Sequence, residues 1–477
     1  MLKEGSRLDR YFEISKRGST VGTEIRGGLA TFFAMSYIVV LNPLILGGED
    51  GAGNVLGGPA IAAATALIAG VLTIVMGAWA KHPFAMATGL GVNAFVAVTV
   101  ATNENLTWPD VMGLVVLAGI TMFILVLTGF RTAVFRAVPP SLKTAIVVGI
   151  GFFIALLGFV NAGFVRRVPD AAGTTVPVEL GSGGALLGWP TLVFAFGLIL
   201  TIALMARKVR GAILIGILSS TVLAVIIENV ASPGNQGTGA ATGWSLVTPS
   251  TPQWGAPDLS LIGNFSLFGS FEKLGIIGAS LLAFVILLSI FFDAMGTMVG
   301  LSTEAGSIDK DGNIPNVERV LLVDAAGAIA GGGASVSSNQ LFVESGAGIG
   351  EGARTGFASI VTGLLFIAAM FLTPLIYLVP FEAVAPALVV VGYLMVTQVS
   401  KIDWSDIGLA LPSFLTIALM PFTYSIANGL GAGFLAYVII RTFQGRAKEI
   451  HPVMWIVAAA FAVFFCVGPI EAALGLA

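Results

Sequence analysis

Windows of about 18 to 22 consecutive apolar residues recur from Gly28 to the end of the chain, the length an α-helix needs to cross roughly 30 Å of hydrocarbon. "GLATFFAMSYIVVLNPLIL" and "LGIIGASLLAFVILLSIFF" are typical. The pattern predicts segments at residues 27–46, 59–80, 84–101, 111–130, 141–163, 189–206, 211–228, 273–300, 317–332, 335–350, 355–378, 382–399, 405–423, 425–443 and 453–470. The longest polar interval, residues 229–270, is rich in Ser, Thr, Gly and Pro and divides them into two sets of seven. Segment 453–470 is left over as a further span or an interfacial helix. Runs of this kind exclude a β-barrel, whose strands alternate apolar and polar over about ten residues. The predicted architecture is an all-α polytopic membrane protein of about fourteen transmembrane helices lodged in a lipid bilayer.

Two segments depart from the apolar pattern. The third, "FAMATGLGVNAFVAV", and the tenth, inside "SSNQLFVESGAGIGEGARTG" (337–356), are short, polar and interrupted by glycine. Elsewhere the halves echo one another: "AIVVGIGFF" (145–153) and "ALVVVGYLM" (387–395) each fall in the fifth segment of their half. Seven is odd, so the second half is inverted relative to the first, a 7+7 inverted repeat. A broken segment exposes backbone N–H groups that lipid cannot satisfy, so they must face protein or a polar cavity. Paired broken segments in inverted halves point to a substrate site near the midplane.

Charge orients the chain. Lys3, Arg7, Arg10, Lys16, Arg17 and Arg26 precede the first segment, which puts the N-terminus on the cytoplasmic side. Alternation over fourteen crossings then leaves Lys and Arg in cytoplasmic loops and almost none outside, with Arg166 and Arg167 the exception. With a mean hydropathy of +0.96 and only 10% charged residues, the chain is no soluble domain. No basic tract suggests nucleic acid. The single cysteine, Cys466, cannot form an internal disulfide, and two histidines, His82 and His451, cannot build a HExxH-type metal site. No cofactor is expected. The first apolar window follows a polar stretch of 26 residues and is too long for a cleavable leader.

Three carboxylates lie well inside apolar segments: Asp293 in "SIFFDAMGTMVG", Asp324 in "LLVDAAGAIAG", and Glu344. No Lys, Arg or His accompanies them at similar depth. Such acids are protonated, bonded to helix ends, or engaged with a ligand or cation. Glu344 and Asp293 are read as functional. For Asp324 a structural bond tying two helices is preferred to ligand contact. Asn93, in "GLGVNAF", either grips a ligand or satisfies the broken backbone. Phe342 could stack on a planar ligand or simply pack. "GAGIGEG" has no βαβ context and is not a dinucleotide fingerprint. His82, beside Pro83, reads as an interfacial loop residue.

The stretches "GTEIRGGLATFFAMSYIVVLNPLIL", "GLGVNAF", "FFDAMGTMVG" and "ESGAGIGEGARTG" resemble, in order and over nearly the whole chain, the azaguanine-type purine permeases. That group belongs to the nucleobase–cation symporter superfamily, related to uracil and xanthine/urate permeases. The resemblance implies fourteen helices in two inverted repeats with core and gate domains, usually dimeric, and uptake of purine nucleobases with a proton. It places a cytoplasmic segment at 1–26, the core domain at 27–130 and 273–380, the gate domain at 131–228 and 381–445, an extracellular loop at 229–272 and a C-terminal segment at 446–477. Glu344, Asn93, Gly91 and Asp293 match the family's binding positions. Asp293, Glu344 and Asp324 are the candidates for proton coupling. The chain departs from the family at Ile290, where relatives often carry a second aspartate, at Ala294 in place of threonine, and at Phe342 in place of tyrosine.

Overall fold

The computed structural model describes residues 7–36, 38–102, 105–130, 137–167, 178–181, 184–207, 209, 212–235, 242–244, 248–249, 256–308, 314–371 and 379–466. The helices are α1 (Arg7–Phe12), α2 (Val21–Met35), α3 (Ile38–Leu46), α4 (Gly58–Val75, prolonged by a π-turn to Ala80), α5 (Leu90–Thr102), α6 (Trp108–Leu127), α7 (Pro140–Asn161), α8 (Trp189–Ala206), α9 (Ala212–Ala231), α10 (Gly269–Glu304), α11 (Val317–Gly333), α12 (Ser345–Gly350), α13 (Gly356–Phe371), α14 (Phe381–Val396), α15 (Ile407–Phe422), α16 (Ile426–Phe443) and α17 (Pro452–Phe465). Two short ribbons complete the fold. Strands β1 (Met86–Thr88) and β4 (Asn339–Leu341) pair with each other, as do β2 (Val165–Arg167) and β3 (Val178–Leu180).

Every predicted segment contains a helix, and the starts are set locally. Thr20 caps α2 by accepting the Thr23 N–H, and Thr107 and Asp110 form a capping box on α6. Proline occupies the first turn of α4, α6, α7, α8 and α17, where its missing N–H costs nothing. Six helices are long and apolar enough to cross a membrane by length and composition: residues 58–80, 108–127, 140–160, 189–206, 278–304 and 381–401. The fourteen segments form the 7+7 inverted repeat.

Three segments differ in detail from the predicted helices. The first is two helices, with a break after Ser36. The third and tenth each open as a strand before turning helical. The leftover segment is a 14-residue helix, about 21 Å at 1.5 Å per residue. Arg166 and Arg167, which broke the charge pattern, lie on the β2–β3 ribbon, Arg166 opposite Glu179.

The helices pack in two groups. Helix α13 lies on α2 and α4, α11 and α10 lie on α6, and α12 lies on α2. In the other group α14 lies on α7, α8 and α9, and α15 lies on α7 and α16. Helices α10 and α9 reach across, to α7 and α16 and to α2 respectively.

Small residues permit the closest approach. A Cβ added to Gly70 would stand 2.9 Å from the Gly363 carbonyl oxygen, and one on Gly363 2.5 Å from that of Gly70. One helical repeat on, Gly77 and Gly356 meet in the same reciprocal way. Helices α4 and α13 therefore touch backbone to backbone, which in lipid replaces the hydrophobic drive for association. Gly70→Leu should overpack this seam at a cost of about 1–3 kcal/mol and lower the melting temperature in detergent. Gly48→Ala, with open space around the added methyl, should leave it unchanged. Equal melting of the two variants would mean that α4 and α13 do not approach this closely.

Candidate functional site at the strand crossing

The third and tenth segments meet in the interior. Strands β1 and β4 are antiparallel, with Met86 opposite Leu341, Ala87 opposite Gln340 and Thr88 opposite Asn339. Pairing continues at both ends: Gly89 N–H donates to Ser338 O (2.9 Å) and Phe342 N–H to Ala85 O (2.9 Å). The Ser345 hydroxyl accepts from Ala85 N–H (2.8 Å) and donates to Phe342 O (2.6 Å). On the outer edge of β1, Thr73 of α4 accepts from Met86 N–H (2.9 Å) and donates to Met86 O (3.2 Å). On the outer edge of β4, Asp324 of α11 accepts from Leu341 N–H (3.2 Å). A two-stranded ribbon without water has bare edges on both sides, and these side chains cover them. Asp324 thus bonds the backbone of β4, where the sequence pointed to a bond tying two helices.

Helices α5 and α12 start directly after the two strands, so their N-terminal ends sit close to the crossing. Glu344 occupies the N-cap position of α12 without bonding the helix's own N–H groups, and only 2% of it is exposed. Phe342, also buried, follows the end of β4, two residues before Glu344. From the other helix group, Tyr424, in the turn between α15 and α16, lies within electrostatic reach of Glu344 and packs edge-on against Phe153 at 5.4 Å.

Asn93, one turn into α5, is fully buried and donates from Nδ2 to Asn42 Oδ1 (2.6 Å). Asn42 in turn donates to Thr65 Oγ1 at 2.8 Å and reaches Thr88 Oγ1 and Val336 O at 3.4 Å. Asn93 thus joins an amide network that reaches Val336 O through Asn42, and its own Oδ1 has no partner. Gly91 lies in the first turn of α5. Asp293 falls on α10, which contacts β4, α5 and α12; its side chain lies outside the described residues. Among the described residues no cluster of His, Cys, Asp and Glu could hold a metal ion.

Several residues of the site carried no flag in the sequence. Thr73 and Ser345 look like ordinary small polar residues in apolar runs. Asn42 is hidden in "VVLNPLIL", where the only signal is an amide beside a proline. His82 is in the expected turn but is fully buried, stacked on Phe84 (4.7 Å) and bonded through Nε2 to Pro315 O (2.7 Å). Burial pushes its imidazole down to about 4, so it stays neutral between about pH 6 and 8 and carries no proton in that range.

Inverted repeats, broken helices and a buried carboxylate at their crossing define a multi-pass membrane transporter. The profile described as "Permease family" (Xan_ur_permease) matches residues 22–431, and the chain belongs to that family. It is a transporter, not an enzyme. Among its relatives are the guanine/hypoxanthine permease PbuG of Bacillus subtilis, 36% identical over 96% of this chain and 99% of that one, and the adenine permease AdeQ of Escherichia coli, 34% identical over 96% of each. The transmembrane domain of the cyanobacterial bicarbonate transporter BicA shares the fold at 14% identity, with a TM-score of 0.52 over 86% of this chain and 97% of that one.

Asp324→Ala should cost about 1.5–3 kcal/mol of stability, the range for a hydrogen bond to a charged group, by leaving the Leu341 N–H bare. Asp324→Asn, which keeps an acceptor, should recover part of it. Thermal unfolding reads both, and wild-type melting of the alanine variant would remove Asp324 from the support of β4.

Proposed function

We propose that this permease imports purine nucleobases of the adenine, guanine and hypoxanthine class together with a proton. The observation that carries the reading is Glu344, buried at the crossing of two broken segments in a chain whose relatives are named as purine permeases. A base is planar, neutral and rich in N–H donors. A carboxylate accepts charge-assisted hydrogen bonds from ring N–H groups, and from guanine it accepts two in parallel, from N1–H and the 2-amino group. Phe342 offers a face for stacking, and the start of α5, with Gly91 and Asn93, completes the polar edge. An anion would meet Glu344 as a like charge, which disfavours cargo of the BicA kind.

Alternating access follows an elevator-like path in this reading. Residues 27–130 and 273–380 form the core that carries the site, and 131–228 and 381–445 form the gate. The two packing groups support that division. The N-terminus is cytoplasmic, the membrane is the plasma membrane, and the working unit is a homodimer.

Glu344→Ala should weaken purine binding roughly 10- to 100-fold, the loss expected when a charged acceptor is removed from a buried N–H. Glu344→Gln keeps one acceptor and should fall between. Binding titration of purified protein measures this, and an alanine variant of unchanged affinity takes Glu344 out of the site.

Asp293 is assigned the proton. Asp293→Asn should leave exchange of labelled for unlabelled base intact in proteoliposomes, since exchange moves no net proton, while abolishing accumulation driven by a pH gradient. Wild-type uptake should rise as external pH falls from about 8 to 6. Survival of both activities moves the proton to Glu344 or Asp324, and loss of both makes Asp293 a substrate or structural residue.

A further inference from the structure

Strand β4 is in contact with two helices, α11 and α10. Successive strand residues point to opposite faces, so the α11 contacts sort them. A Cβ on Gly327 of α11 would stand 2.6 Å from Asn339 O, and one on Gly331 would stand 2.8 Å from Asn339 N and 3.2 Å from Asn339 Nδ2. Asn339 and Leu341 therefore belong to the α11 face. Gln340 and Phe342, the latter still paired with β1 through its N–H to Ala85 O, alternate onto the opposite face. Gln340 thus shares a face with the aromatic residue that leads into Glu344.

The Gln340 side chain is held across Gly89, at the junction of β1 and α5. A Cβ on Gly89 would stand 2.8 Å from Gln340 Cγ and would collide outright with its Cδ and Nε2. Gly89 is where any side chain would displace the amide. Gln340 is 95% buried, at 5% exposure, and its Oε1 has no hydrogen-bond partner. The Oδ1 of Asn93, whose N–H donates to Gly89 O (2.9 Å), has none either. Two buried amide oxygens without partners flank one glycine, at the site where two broken segments meet. A buried polar atom left bare is costly, and its presence calls for a partner outside the chain.

We propose that Gln340 is a specificity-determining residue that hydrogen-bonds the exocyclic group at C6 of the purine, beside the edge taken by Glu344. A carboxamide suits that position because it carries both a donor and an acceptor. Its NH2 group donates to a 6-oxo group, and its carbonyl oxygen accepts from a 6-amino group. One residue thereby admits both hypoxanthine and adenine. The inference rests on the purine reading given above.

The test compares three probes on the purified carrier: hypoxanthine, adenine, and unsubstituted purine, which has only hydrogen at C6. Gln340→Met keeps the length and packing over Gly89 and removes both hydrogen-bonding groups. Its affinity for hypoxanthine and adenine should fall about 10-fold or more, while its affinity for unsubstituted purine should stay within about 3-fold of wild type. Gln340→Leu should give the same pattern, and because the readout is a ratio of affinities, the folded fraction of either variant drops out. Equal weakening of all three ligands would make Gln340 a structural residue, and unchanged affinity for all three would place it outside the site. Both results overturn the proposal. Failure of the wild-type protein to bind any of the three would instead overturn the purine reading itself.

Discussion

The fold depends on six residues that pair in the middle of the molecule. Residues 86–88 and 339–341 come from opposite repeats, and neither strand has a partner within its own half. In lipid an unpaired backbone group costs several kcal/mol, so each half can hold its broken segment only when the other is present. The outer edges are closed in matching fashion. Thr73 stands on the second segment of the first repeat and serves β1, while Asp324 stands on the second segment of the second repeat and serves β4. The inverted repeat is thus visible in chemistry as well as topology: corresponding helices supply the side chain that satisfies the strand of the following segment.

A closed ribbon of this kind fixes what surrounds it. The strands end at Thr88 and Leu341, and helices α5 and α12 begin at Leu90 and Ser345. Buried beside the ribbon are Glu344 and two amide oxygens without a hydrogen-bond partner, Asn93 Oδ1 and Gln340 Oε1. On the α11 side, Gly327 and Gly331 let the helix backbone approach so tightly that no ligand fits.

Much of this was legible in the sequence, and what was not has specific causes. Hydrophobic length located every segment, because the cost of polar residues in lipid leaves a strong record. The two broken segments were legible for the same reason in reverse. The break after Ser36 was not, since "GLATFFAMSYIVVLNPLIL" stays apolar across it. Three-residue strands are too short for period-two alternation to register, so the tenth segment read as helix from 335. Charge drew attention to Glu344, Asp293 and Asp324, whereas neutral amides carry no such signal. Asn42 and Gln340 were overlooked for that reason, although both are buried at the crossing. The bond from Leu341 N–H to Asp324 is likewise a matter of geometry that no spacing reveals.

The "EGARTG" run after α12 shows why so specific a motif follows the site. Helix α12 has only six residues and cannot satisfy its own ends. Glu24 of α2 receives the N–H groups of Arg354 (2.9 Å), Thr355 and Ala358 (both 3.3 Å). Arg354 returns hydrogen bonds to the carbonyls of Ile349 and Ala353, both at 2.7 Å. These bonds join segments one, ten and eleven, all in the group that holds Glu344. Glu351 behaves differently. Its Oε2 is 3.1 Å from Arg26 Nε, within the same group, but its Oε1 accepts the N–H of Ile213 at 2.9 Å, in the first turn of α9. A cavity of about 480 Å³, lined by Arg26, Arg354, Met205 and Ala212, opens beside it. One carboxylate thus spans the boundary between the two helix groups next to an open space. If the groups slide past one another, the Ile213 bond must break while the Arg26 pair survives.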